Sequence, residues 1–347
     1  MSFKEKFVSW WTGEYKNSVP SVGGQAVMEG VMMKGPKGTA ITVRKADGTM
    51  TYVLKPGKKI GENHKWLRLP FIRGVANFCV MLVEGMKTLT DSADMAGLDS
   101  EEPTKFEKKV SEALHCKPDD VMMASAVILA VVLAVGLFSL LPNFLGSLIK
   151  RAGLGEFMTS LCSGLIRITL FLLYVFLCSR LKEIRRVFMY HGAEHKSIHC
   201  FEHGDELTVE NARKYTTLHP RCGTSFLVIV MVISILCSTL FGLIMPESVN
   251  KSLIWRMLSR IWLVLPVSGI SYEVLKTLGR AKETKLVKAL RWPGLMAQKL
   301  TTAEPDDSML EVALVSLKAS LGWEKPLPES YYTEETEEIA PEEEAAE

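Results

Sequence analysis

Val121-Met-Met-Ala-Ser-Ala-Val-Ile-Leu-Ala-Val-Val-Leu-Ala-Val-Gly-Leu-Phe-Ser-Leu-Leu141 is a run of twenty-one residues without a charge. A helix rises about 1.5 Å per residue, so this run covers about 30 Å, the thickness of a bilayer's hydrocarbon core. Further along, Phe157 to Ser179 is similar, broken only by Arg167. Ser225 to Met245 again carries no charge. Arg256 to Leu278 is more polar, with Arg260, Pro266 and Glu273, but Ile261 to Tyr272 is uncharged. The expectation is an α-helical polytopic membrane protein with about four spans between residues 121 and 279. The 48% hydrophobic composition fits this and argues against a disordered chain or an ordinary soluble enzyme.

The formal net charge of +2 hides an asymmetry. Residues 329–347 contain nine Glu and no Lys or Arg, which leaves 41 basic against 30 acidic residues in the rest. A basic body suits anionic lipid headgroups. No arginine-rich or aromatic-interleaved nucleic-acid motif is present, so membrane lipid is the expected partner and nucleic acid is not. The seven cysteines are odd in number and form no C-x-x-C, so they are no secreted disulfide framework. The composition says nothing of oligomeric state.

Residues 1–17 hold Phe3, Phe7, Trp10 and Trp11, which suit an interfacial helix or a packed terminal helix equally. Residues 18–70 read as a small β-rich cytoplasmic domain. There, Ala40 to Lys45 and Thr49 to Leu54 flank Asp47-Gly48 as a hairpin. Residues 71–120 read as interfacial and amphipathic helices, and 280–328 as cytoplasmic C-terminal helices. Pro305-Asp306-Asp307-Ser308 opens one of these, running to about Leu321. The acidic tail, 329–347, is expected to be disordered. Lys and Arg concentrate in the middle loop, 180–224, which puts that loop and both chain ends in the cytoplasm.

The chemistry concentrates in the same loop. His191, His195, His199 and His203 are each four residues apart, so a helix would set them in one stripe beside Glu194 and Glu202. His191-Gly-Ala-Glu194-His195 matches H-x-x-E-H, in which two histidines bind a metal and the glutamate activates water. His219-Pro-Arg-Cys222 follows just before the third span. His191, His195 and His219 are the leading ligands of a divalent metal, with His199, Cys222 and Glu202 as further candidates. A thiolate in the set favours zinc. Glu194 is the candidate general base. Glu29, Glu273 and Cys200 are candidates for supporting positions around the metal. Arg167, near mid-membrane, is on paper a partner for Glu273, although their depths differ by about 10 Å.

Four blocks carry a family resemblance: Gly23-Gly-Gln-Ala-Val-Met-Glu-Gly-Val-Met-Met33, Arg73-Gly-Val75, His191-Gly-Ala-Glu-His-Lys196 and His219-Pro-Arg-Cys-Gly-Thr224. They resemble the signature blocks of the YqhQ-like family, bacterial membrane proteins of unknown function classed as predicted metal-dependent enzymes. The resemblance covers about residues 18–321. It implies a bacterial inner-membrane protein and supplies no reaction. The expected function is metal-dependent hydrolysis at the membrane–cytosol boundary, on a lipid or a membrane-associated peptide. The alternative is a non-enzymatic membrane factor with a structural metal, or a role in sensing, assembly or transport.

Overall fold

In a computed structural model, the protein is described at residues 20, 22–57, 69–97, 104, 108–111, 118–153, 155–244, 253–281 and 284–328. The N-terminal helix expectation, the acidic tail, His64, His115 and Cys116 lie outside these residues.

Four strands, β1 (Gly23–Val27), β2 (Gly30–Lys34), β3 (Gly38–Arg44) and β4 (Met50–Pro56), form an antiparallel meander in the order β1-β2-β3-β4. Val27 pairs with Gly30 across a two-residue turn, Met28-Glu29. Gly48, at φ 87°, supplies the left-handed residue of the β3–β4 turn, and Asp47 Oδ1 accepts the Thr49 N–H at 2.8 Å. Side chains alternate across the sheet. Val27, Met32, Ile41 and Val43 face α1 (Ile72–Ala96), meeting Leu89 and Ala96. Val31 and Met33 face the other way and join a second core.

That second core is closed by the far end of the chain. The helices that follow α1 are α2 (Pro118–Val135), α3 (Leu141–Arg151), α4 (Glu156–Cys178), α5 (Lys182–His203) and α6 (Val209–Arg213). After them come α7 (Gly223–Ile244), α8 (Leu253–Arg280), α9 (Lys285–Thr301) and α10 (Asp307–Leu321). α10 is buried on nearly every side because it lies between the sheet and α5. Ser316 Oγ reaches the carbonyls of Val31 and Ala40, each at 3.0 Å, and Lys37 N–H donates to Ser320 C=O at 3.1 Å. α10 begins where the Pro305-Asp306 signal placed it: Asp306 accepts the Met309 N–H at 2.9 Å, and Gly322 ends the helix at φ 90°. The N-terminal strands, the histidine helix and the C-terminal helix therefore pack as one unit.

Among the described residues, three helical stretches are long and apolar enough to cross a membrane: Ala124–Ile149, Phe157–Cys178 and Gly223–Phe241. The first is longer than the sequence led us to expect. It continues past Leu141 to Arg151 through a wider π-helical segment, Gly136–Leu140. Pro142 explains that segment. A proline inside a helix donates no hydrogen bond and crowds the carbonyl four residues back, here that of Phe138; a local π turn absorbs both without ending the helix. The fourth expected span is a continuous 28-residue helix, α8, but it carries Arg256, Arg260, Glu273 and Lys276 and is not among the three apolar stretches.

Glu273 is paired, and not with Arg167. Arg73 of α1 grips it with two hydrogen bonds, Nε–Oε1 at 2.7 Å and Nη2–Oε2 at 2.6 Å. The depth mismatch noted from sequence is resolved by a partner outside the spans. Arg167 Nε is buried, with no hydrogen-bond partner among the described residues. Glycines bring α1 and α8 close: a Cβ on Gly74 would lie 2.9 Å from Gly269 Cα and from Tyr272 Cβ.

Candidate metal centre

The four histidines do lie on one helix, α5. Gly204, at φ 77°, ends it directly after His203. The second half of α5 is buried between β1, α10 and the loop 214–222, so the histidine stripe faces protein. That loop is anchored by a residue far away in sequence. Gln298 of α9, fully buried, accepts the His219 N–H at 2.8 Å and donates to the His219 carbonyl at 2.7 Å and to Ser225 Oγ at 2.9 Å.

The stripe and the loop meet in two groups. In the first, one ligand atom from each of His191, His195 and Cys222 lies within 4.8 Å of the other two. The ring tautomers are fixed by backbone carbonyls, which only accept. His191 Nδ1–H donates to Thr301 C=O at 2.8 Å, and His195 Nδ1–H donates to Thr217 C=O at 2.5 Å. Each Nε2 therefore presents a lone pair. His191 Nε2 stands 3.2 Å from Cys222 Sγ. His195 Nε2 is buried and has no hydrogen-bond partner among the described residues. A buried nitrogen left unpaired is costly, and its direction toward a histidine and a thiol fits a metal ion better than an apolar void. Cys222 directly precedes α7 and its sulfur accepts the Thr224 N–H at 3.3 Å. Burial pushes the His195 pKa down, which keeps the ring neutral and ligand-competent.

In the second group, ligand atoms of His199, Glu202 and His219 lie within 4.8 Å of one another. Here the hydrogen bonds are closed. His199 Nε2–H donates to Leu218 C=O at 2.9 Å. His219 Nδ1 accepts the Arg221 N–H at 3.3 Å, so its hydrogen sits on Nε2, 3.4 Å from Glu202 Oε2. The Arg221 guanidinium takes the other Glu202 oxygen. Burial lowers the His199 pKa to about 4 and also lowers that of His219. The groups adjoin through the His195 and His219 rings, 5.6 Å apart at their centroids.

Glu194 is buried beside them. Its Oε2 lies 3.9 Å from His191 Nε2, and the His219 ring is also within electrostatic reach. Burial raises its pKa, opposed by the two histidines and by a hydrogen bond from the Gly24 N–H of β1. A Cβ on Gly24 would stand 2.8 Å from Glu194 Oε1, so glycine there lets the strand approach the carboxylate.

The three residues expected around the metal stand elsewhere. Glu29, at φ 52°, bonds Arg186 Nε at 2.5 Å and faces Tyr190 OH at 3.5 Å, towards the start of α5. Glu273 holds Arg73. The Cys200 thiol faces the Glu206 carbonyl at 3.4 Å, and burial raises its pKa. The groups that hold Glu194, the two rings and the loop are Gly24, Thr217, Gln298 and Thr301. Sequence gave no signal for Thr217 and Thr301, since each contributes a backbone carbonyl that every residue type has. Gln298 sits in a basic helix where nothing marks it.

A family model described as "Protein of unknown function (DUF1385)" matches residues 69–323. The chain is 33% identical over 305 residues to the "Uncharacterized protein YqhQ" of Bacillus subtilis (strain 168), which spans 87% of this chain and 92% of that protein. No solved structure matches. The matched region contains the histidine helix, the Cys222 loop and Gln298, and the chain belongs to the YqhQ-like DUF1385 family of proteins of unknown function.

Proposed function

We propose that this is a metal-dependent hydrolase of a bacterial cytoplasmic membrane, with its metal, zinc, held by His191, His195 and Cys222. The observation that carries the reading is the buried, unpartnered His195 Nε2 beside His191 and a thiol. Neutral imidazoles and a thiolate are zinc's preferred donors, and three protein ligands leave a position open for water or substrate. The second group is already served by Arg221, a resident cation on Glu202, so His199, Glu202 and His219 support the loop in this reading.

A zinc ion there would acidify a water and polarise a carbonyl or phosphoryl oxygen. The chain's own residues do the rest. The Thr301 and Thr217 carbonyls hold both ring tautomers. Glu194, whose proton affinity burial raises, accepts a proton beside His191 Nε2. Gly24 N–H steadies that carboxylate. The basic 180–224 loop supports a cytoplasmic site and cytoplasmic chain ends, and the apolar helices support a membrane-associated substrate, lipid or peptide.

The burial of His195 and Glu194 favours one other reading, a closed structural zinc in a non-enzymatic membrane factor. The test is metal content of the purified full chain, with cobalt replacing zinc for spectroscopy, and complementation of a deletion strain. His195→Ala and Cys222→Ser should lose the metal, and Cys222→Ser the sulfur-to-cobalt charge-transfer band. Exposed His203→Ala should keep both. Glu194→Gln should keep metal and fail to complement. Equal metal in all variants refutes the site. Full complementation by metal-loaded Glu194→Gln refutes the hydrolase and leaves the structural zinc.

A further inference from the structure

α9 has two unlike halves. Its C-terminal half is the scaffold of the metal centre, with Gln298 on the His219 backbone and the Thr301 carbonyl on His191. Gly294 lies against Ser225, at the start of the apolar helix α7. Its N-terminal half stands free of the core. Leu286, Leu290 and Trp292 are 69%, 53% and 60% exposed. Leu286, Leu290 and Pro293 follow one another at helical spacing, and beside them runs a second stripe of Lys285, Lys288 and Trp292. The inner face holds Arg291, which bonds the Leu278 carbonyl with its Nε at 3.1 Å and the Ala281 carbonyl at 3.2 Å. Leu278 is in the last turn of α8 and Ala281 directly follows it, so the elbow between α8 and α9 is fixed by a cation at a helix C-terminus.

We infer that the N-terminal half of α9 lies in the headgroup layer of an anionic bilayer, with Leu286 and Leu290 at the acyl boundary, Trp292 in the interface and Lys285 and Lys288 on lipid phosphates. Two observations select lipid as the occupant. The helix that carries the stripe packs along α7, an apolar helix of spanning length. Leucine, tryptophan and lysine side by side are the composition of an interfacial helix, in which lysine stems lie along the apolar surface and their ammonium groups reach phosphate. A two-fold contact with a second copy centred on this stripe would bring the same lysines against each other. The inference rests on the membrane-protein reading and not on the metal. It gives that reading a geometry, because Thr301 is eleven residues past Leu290, about 16 Å along a helix. The metal centre is then within one short helix of the lipid phosphates, and a substrate need not leave the membrane to reach it.

Photocrosslinking tests this. Benzoylphenylalanine replaces Leu286, Leu290 or, as a control on the sheet unit, exposed Trp323. The full chain is placed in nanodiscs of phosphatidylcholine with or without phosphatidylglycerol, irradiated and weighed by mass spectrometry. Lipid adducts should dominate at positions 286 and 290 and be scarce at 323. Phosphatidylglycerol should raise the yield, and Lys285→Glu with Lys288→Glu should reverse the gain by about fivefold per lysine at low salt. Adducts to a second copy, equal yields at all three positions, or yields indifferent to phosphatidylglycerol would each overturn the inference. Metal content is read on the same samples: lipid adducts on a protein that holds no metal would sink the metal centre and leave this surface standing.

Discussion

Gln298→Leu isolates the contribution of the hidden scaffold. Leucine fills a similar volume but offers no polar atom. The His219 N–H, the His219 carbonyl and Ser225 Oγ would lose their partner in a site from which water is excluded. A buried polar group left unpaired costs about 1–3 kcal/mol. Ser225 can turn its hydroxyl elsewhere, so the two backbone groups set the scale, at about 2–6 kcal/mol. The loop also carries Cys222, so metal affinity should fall about 10–100-fold, as it does when a group that orients a ligand is lost. The assay is guanidinium unfolding of the detergent-solubilised chain, followed by hydrogen exchange at the His219 amide and a competitive zinc titration. Lys299→Ala, next door and exposed, should stay within about 0.5 kcal/mol of wild type. If Gln298→Leu matches Lys299→Ala in stability and the His219 amide exchanges no faster, the clamp is not what holds the loop.

Gly192→Ala would put a methyl group onto the Ala303 carbonyl, and neither backbone can yield alone. The His191–Thr301 hydrogen bond should break, and zinc titration should show affinity reduced at least about 10-fold, whereas the same titration unchanged would deny the close approach. Arg73→Met should destabilise by about 1–3 kcal/mol, less than for a fully buried pair because both side chains keep some solvent contact. Glu273→Gln should do the same, and a double-mutant cycle reporting no coupling would remove the pair as the α1–α8 tie. At Asp306, burial raises the pKa but the Ser308 hydroxyl and the Met309 N–H outweigh it, so the folded value lies below the ordinary one. Its stabilisation is fully present above the unfolded value of about 3.9 and is lost as pH falls through the lower folded value. Asp306→Asn keeps the cap and should flatten that acid limb in thermal unfolding; a limb as steep as in wild type would point to other carboxylates.

Much of the architecture was legible along the chain because its signals are local. Twenty-one uncharged residues make a membrane-length helix whatever surrounds them, since only a helix satisfies its own backbone in lipid. The Asp47-Gly48 turn, the Asp306 cap and the four-residue spacing of His191, His195, His199 and His203 are set by the geometry of one element. What depends on contact between distant segments was not legible. Arg73 rather than Arg167 meets Glu273 because α1 packs on α8. Residues 307–321 complete the core of the N-terminal sheet. His219 joins His199 and Glu202 rather than His191 and His195 because Gln298 fixes its backbone, and Cys222 takes the place beside the two histidines. Sequence determined which side chains could bind a metal, through their chemistry and their spacing on one helix. Only the tertiary structure decided which of them converge, because backbone carbonyls, close glycine contacts and a buried amide choose the ring tautomers and the loop position, and none of these leaves a periodic mark in the sequence.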